Sequence, residues 1–160
     1  MRRVFIFFFA MFSALTAQAE SGTVESISGG PYQITTNDFG DSKYSVFTIK
    51  LIGTTLKSDV SFIKAGSTFI AECSGVSTAD SKGPKAEGTC LVTDADGDKY
   101  KLSFSRNNSS NGGVQNWVGL SGKFVGASGN CTYEHRPQAH NGVVYGINPS
   151  KCSEIGRAHV

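Results

Sequence analysis

The sequence predicts an all-β protein: a single antiparallel barrel of about eight strands, with a β-sandwich as the alternative architecture. Three observations predict it. Apolar residues recur with a period of two over short stretches, the repeat of a strand with one buried face. Turn-forming residues interrupt these stretches every several positions, and no helical periodicity of useful length is present. The composition of 160 residues, with 19 glycines, 4 prolines and 18% charged side chains, suits one compact domain. It suits neither a disordered chain nor a coiled coil.

The two ends read differently from the middle. Met1, Arg2 and Arg3 precede an apolar run over residues 4–15 that holds five phenylalanines, and Ala17-Gln18-Ala19 follows. A basic start, an apolar stretch and small residues at a cleavage point form a secretory signal peptide, so residues 1–19 are expected to be removed. The run is shorter than the ~20 residues that span a bilayer, and no later stretch reaches that length, so no stable membrane insertion is expected. The expected location is exported, either periplasmic or extracellular. At the other end, Glu154, Ile155, Gly156, Arg157, Ala158, His159 and Val160 match, codon by codon, a common sequencing adapter (GAG ATC GGA AGA GCA CAC GTC, with TGA next in frame). Residues 154–160 are therefore expected to be non-native, with the natural terminus lost after Ser153. An independent assembly encoding these seven residues before a stop would overturn that expectation. The domain is then 20–153, with twelve basic and twelve acidic side chains. The formal +2 of the chain owes to Arg2 and Arg3, and a neutral domain offers no electrostatic case for a nucleic-acid partner.

Cys73, Cys90, Cys131 and Cys152 all lie in the domain. An even count in an exported chain implies disulfides, and four cysteines allow three connectivities. The sequential pairing, Cys73–Cys90 and Cys131–Cys152, closes the shortest loops and is favoured. No C-x-x-C or paired Cys/His spacing suggests zinc or thiol chemistry.

The elements follow in order. Short strands are predicted over 22–27 and 31–36. Tyr44 and Val46, then Phe47, Ile49 and Leu51, form a run whose phase slips by one at Val46/Phe47, as at a β-bulge. Residues 60–64 and 68–73 flank Ala65-Gly66 as a hairpin. Residues 74–86, rich in Ser, Lys and Gly, read as a long loop tied by the first disulfide. Residues 89–93 and 99–105 flank Asp96-Gly97, a favoured tight-turn pair. Within 99–105, Tyr100, Leu102 and Phe104 alternate with Lys99, Lys101, Ser103 and Ser105, the clearest alternation in the chain. Residues 106–113 are a polar loop. Strands are predicted over 114–120, 123–127, 130–135 and 142–147. Asn107, Asn108 and Asn130 sit in glycosylation-type triplets, read here as chance matches.

The most distinctive stretch holds Gly119, Ser121, Gly122, Lys123, Phe124, Gly126 and Gly129. Glycines so spaced suit a bend or a close backbone approach in a barrel, and they lack the arrangement of a phosphate-binding loop. The pattern G-x-S-G-K-F-x-G-x-x-G resembles that of small exported bacterial proteins of unknown function. They are similar to the allene oxide cyclase and dirigent type of eight-stranded barrel, a calycin-like architecture. The segment 88–99, with its D-x-D-G-D-K turn, resembles a second element of that group. The resemblance implies a barrel that either fills its interior or holds one small apolar ligand.

Asp94, Asp96 and Asp98 are the weak candidates for a metal. Alternate carboxylates can supply calcium oxygens, but Gly97 and the missing glutamate depart from the EF-hand pattern. His135 and His140 lack zinc spacing and read as members of a polar loop. Trp117 is expected in the core or at the rim, too late in the chain for the lipocalin motif that a barrel of this size brings to comparison. No nucleophile elbow or Ser/His/Asp set is present, no catalytic residue can be assigned, and no cofactor is implied. The leading functional expectation is an exported, disulfide-stabilised, non-enzymatic barrel of unknown role, with a small apolar ligand as its candidate partner. An allene oxide cyclase-like isomerase or cyclase is the second, and a protein–protein interaction module the third.

Overall fold

The structure, a computed structural model, describes residues 20–107 and 111–157. The expected leader, residues 1–19, lies outside them. The strands are β1 (Glu20–Asp38), β2 (Lys43–Ser58), β3 (Thr68–Asp80), β4 (Gly83–Asp94), β5 (Lys99–Arg106), β6 (Gly112–Gly119), β7 (Ala127–Glu134), β8 (Arg136–His140) and β9 (Val143–Arg157). Each pairs antiparallel with its neighbour from β1 through β7. β9 then pairs with β7 on one side and β1 on the other, which closes an eight-stranded barrel. β8 continues β7 past His135 and pairs only with the upper part of β9.

The pairing register fixes the barrel's geometry. One row of partners runs Ile34, Phe47, Gly75, Gly88, Phe104, Gln115, Cys131, Cys152 and Val24. It leaves β1 at Ile34 and returns to it at Val24, ten residues away. That stagger tilts the strands against the barrel axis.

The two ends of the barrel differ. At one, residues 59–67 and 120–126 fold inward. Val60, Phe62, Trp117 and Phe124 are buried there with Ile155, which is 1% exposed. Rings of Tyr100, Trp117 and Phe124 pack with centroids 4.6 to 5.5 Å apart, close enough for aromatic pairing to add to burial. At the other end the hairpins β1–β2, β3–β4 and β8–β9 stand tall. A second apolar cluster around Phe47, Ile49, Leu51, Cys73, Cys90 and Val92 occupies the wall between the two ends.

Both disulfides take the sequential pairing, Cys73–Cys90 and Cys131–Cys152. Each joins residues directly opposite on neighbouring strands. Two disulfides fit an oxidising compartment.

Several expected elements take another form. Residues 74–86 are not a loop. They are the upper halves of β3 and β4, joined by a tight turn at Ser81-Lys82. Their small residues suit strands that wall a cavity rather than fill a core. Residues 22–27 and 31–36 belong to one strand. Gly30 makes no turn there; a Cβ on it would lie 2.1 Å from the Lys50 carbonyl oxygen, so it serves a close approach of backbones. No register slip occurs at Val46/Phe47, because Tyr44 and Val46 simply face outward while Phe47, Ile49 and Leu51 face in. The bulge lies lower, where β1 shifts between Glu25 and Ser26. Residues 60–64 form turns that plug the barrel, and a 3₁₀ turn at Gly122–Phe124 replaces the strand expected over 123–127. The expected native end at Ser153 falls inside β9. Residues 155–157 pair with Glu20, Ser21 and Gly22, so this side of the barrel is closed rather than an open edge.

Candidate functional site

The two distinctive sequence stretches meet at the plugged end. Lys123 Nζ lies 2.5 Å from Asp94 Oδ2 and 2.6 Å from Asp96 Oδ2. Asp94 Oδ1 accepts the backbone N–H of Asp96 and of Asp98, and Asp98 Oδ2 accepts that of Lys123. Ser121 Oγ accepts the N–H of Lys99. Gly122, at φ +57, sits so close to Asp98 that a Cβ would lie 1.7 Å from Oδ1, and one on Gly119 would lie 1.6 Å from the Phe124 carbonyl oxygen. Gly126 takes a positive φ of 76, and Gly129 pairs with Trp117 in the β6–β7 ladder. The two stretches are thus halves of one latch that seats Phe124 in the barrel. Burial alone would lower the Lys123 pKa, but hydrogen bonds and attraction from Asp94 and Asp96 outweigh it and hold the ammonium above its ordinary value. Asp94, Asp96 and Asp98 are engaged by this cation and by backbone donors. No group of three metal-ligating side chains occurs among the described residues.

The chemistry-bearing groups gather at the other end, in a cavity of about 160 Å³ inside the tall hairpins. Its apolar wall includes Ile34, Phe47, Ile49, Leu51 and Phe104. Phe47 and Phe104 lie over the paired glycines Gly75 and Gly88, where a Cβ would come within 2.6 Å of each ring. Tyr133 and Tyr32 lean likewise on Gly113 and Gly146. Bare backbone lets each ring lie flat against the neighbouring strand.

The polar groups converge from five strands and the β7–β8 junction. His135 Nδ1 is 2.9 Å from Asn148 Oδ1 and 3.1 Å from the Tyr32 hydroxyl. An Nδ1–H would donate to the Asn148 amide oxygen, whereas a bare Nδ1 would accept from the Tyr32 hydroxyl. Asn148 is buried, and His135 is half-buried. Desolvation pulls the His135 pKa below its ordinary value against the opposing bond to Asn148, and the Arg106 charge adds to the lowering. Burial pushes the Tyr32 hydroxyl up to about 12. Tyr133 is raised for the same reason. Arg106, half-buried at the end of β5, completes the rim. Deeper in, Gln115 and Ser150 bond at 3.0 Å and separate this cavity from a smaller one of about 80 Å³.

Of Tyr32, Arg106, His135 and Asn148, the sequence brings only His135 up as a candidate, and reads it as a member of a polar loop. His135, expected in a polar loop, is drawn inward because β7 breaks at that residue, with its N–H bonded to the Asn111 carbonyl. His140 stays exposed on β8. Trp117 is a core residue, 3% exposed.

No family model matches this chain, and no curated protein matches it. Among solved structures it is similar to the pterocarpan synthase dirigent protein GePTS1, with a TM-score of 0.51 and 12% identity. The likeness covers 89% of this chain and 93% of that one. At that identity it establishes the fold, a closed eight-stranded antiparallel barrel of the dirigent type.

Proposed function

We propose that this chain is an exported, disulfide-stabilised barrel that takes one small, largely apolar ligand into the cavity at its hairpin end. The observation that carries the reading is the cavity itself. It is lined by aliphatic and aromatic side chains, and a few polar groups converge on it from distant strands, the common makeup of a small-molecule site. A cavity of about 150 Å³ can hold benzene, so a single ring is the natural scale of ligand. Mass spectrometry of the protein purified from its native envelope tests the reading. A small molecule retained by the wild type and lost from an Ala86→Trp variant, which fills the cavity, is the expected result. Wild type and variant carrying nothing, and failing to bind any small aromatic probe, would overturn it.

A second reading, an isomerase or cyclase, draws on the Tyr32, His135 and Asn148 cluster. A neutral histidine held by an amide, beside a phenol, is a proton acceptor and donor pair within one cavity. A synthase built on the same fold supports that reading by analogy alone.

A further inference from the structure

We propose that the ligand is a single-ring carboxylate, its ring against the wall formed by Phe47 and Phe104 and its carboxylate on Arg106. This rests on the cavity reading above and adds the charge and shape of the occupant.

The charge follows from what surrounds Arg106. Its side chain lines the cavity, and no carboxylate among the described residues lies within ion-pair distance of it. Strand alternation explains why. Arg106 pairs with Ala86, which lines the cavity, whereas the neighbouring Glu87 is exposed on the outer face. Glu134 is likewise exposed and bonds to Arg136. The polar groups that share the cavity with Arg106 are the phenols of Tyr32 and Tyr133, the imidazole of His135, the amides of Gln115 and Asn148 and the hydroxyls of Ser28 and Ser77. At neutral pH all of these are uncharged. A half-buried guanidinium without a counter-charge is unfavourable, and a bidentate carboxylate is its best-matched partner.

The shape follows from the wall. Rings of Tyr133, Phe104, Phe47 and Tyr32 succeed one another with centroids 6.2 Å apart, and His135 follows at 5.5 Å. This crescent presents ring faces and edges to one flat guest, and about 160 Å³ leaves room for one ring but not for a long chain.

Calorimetric titration of the oxidised domain with benzoate, benzyl alcohol and acetate tests the inference, alongside Arg106→Met and Arg106→Lys variants checked for fold by circular dichroism. Benzoate is expected to bind at least tenfold more tightly than benzyl alcohol or acetate. Arg106→Met is expected to bring benzoate to within about twofold of benzyl alcohol, and Arg106→Lys to retain part of the preference. Equal binding of benzyl alcohol and benzoate to the wild type would overturn the carboxylate while leaving the cavity reading intact. Acetate binding as well as benzoate would overturn the ring. Failure of every ring compound to bind would overturn both the inference and the cavity reading.

Discussion

At the scale of single residues, the cavity depends on groups held in their uncharged forms. His135 is favoured neutral in the fold, because its pKa lies below that of the unfolded chain, about 6.5. The unfolded state therefore binds more protons, and stability falls as pH drops below about 6.5 through the folded value. Tyr32 behaves oppositely. Its pKa is raised to about 12 from 10, so its contribution is present below pH 10 and is lost as pH rises from 10 towards 12. Thermal unfolding midpoints measured against pH are expected to fall on both flanks. The acid-side fall below pH 6.5 is expected to flatten in His135→Gln, and the absorbance of tyrosinate at Tyr32 to appear near pH 12. A wild-type midpoint independent of pH below about 7 would contradict the half-buried, neutral histidine. Neither residue was legible as a site beforehand. Tyr32 and His135 are 103 positions apart, and only barrel closure brings them together. Arg106 looked like the first residue of a polar loop, since nothing local distinguishes an arginine that turns inward.

At the scale of elements, legibility followed local regularity. The alternation of Tyr100, Leu102 and Phe104 gave β5 and its inner face, and Asp96-Gly97 gave the turn before it. Residues 74–86 were misread because Ser, Gly and Ala in a cavity wall lack the apolar alternation that marks a strand packed on a core. The glycine motif was visible as unusual, but its meaning lay in its partner. The β4–β5 turn and the β6–β7 connection hold one another through Lys123. Replacing Lys123 with Met leaves the Asp94 carboxylate, 8% exposed, without its cation. That change is expected to cost about 2 kcal/mol in urea unfolding, since a buried charge has lost its partner. Asp96→Asn, at the exposed side of the same clamp, is expected to be milder. Equal stability of Lys123→Met and wild type would show that the latch is held by Phe124 burial alone.

At the scale of the whole molecule, closure and cross-linking share the work of holding a barrel that is partly hollow. Each disulfide bridges strands already paired, over sequence separations of 17 and 21 residues. Loops of that size are worth on the order of 3 kcal/mol each in the chain-entropy account. Reduction is expected to lower the unfolding midpoint strongly, and the Cys131→Ala/Cys152→Ala and Cys73→Ala/Cys90→Ala variants to fall between the reduced and oxidised forms. An unchanged midpoint on reduction would show that the core suffices alone. Closure also leaves few strand edges. Among the described residues, β8 pairs on one side only, and Arg136 and Pro137 begin it, a charge and a missing donor that discourage further pairing.

The glycines beneath the aromatic rings bear on how the shape of the cavity is set. The rings of Phe47 and Phe104 are positioned by Gly75 and Gly88, residues that do not themselves line the cavity. A methyl group at either glycine would lie within 2.6 Å of a ring and within 2.5 Å of a carbonyl oxygen, Glu87 or Ser74, so both the ring and the strand pairing would have to shift. The shape of the cavity can therefore change through substitutions at wall glycines that do not line it, while every side chain that lines it stays the same.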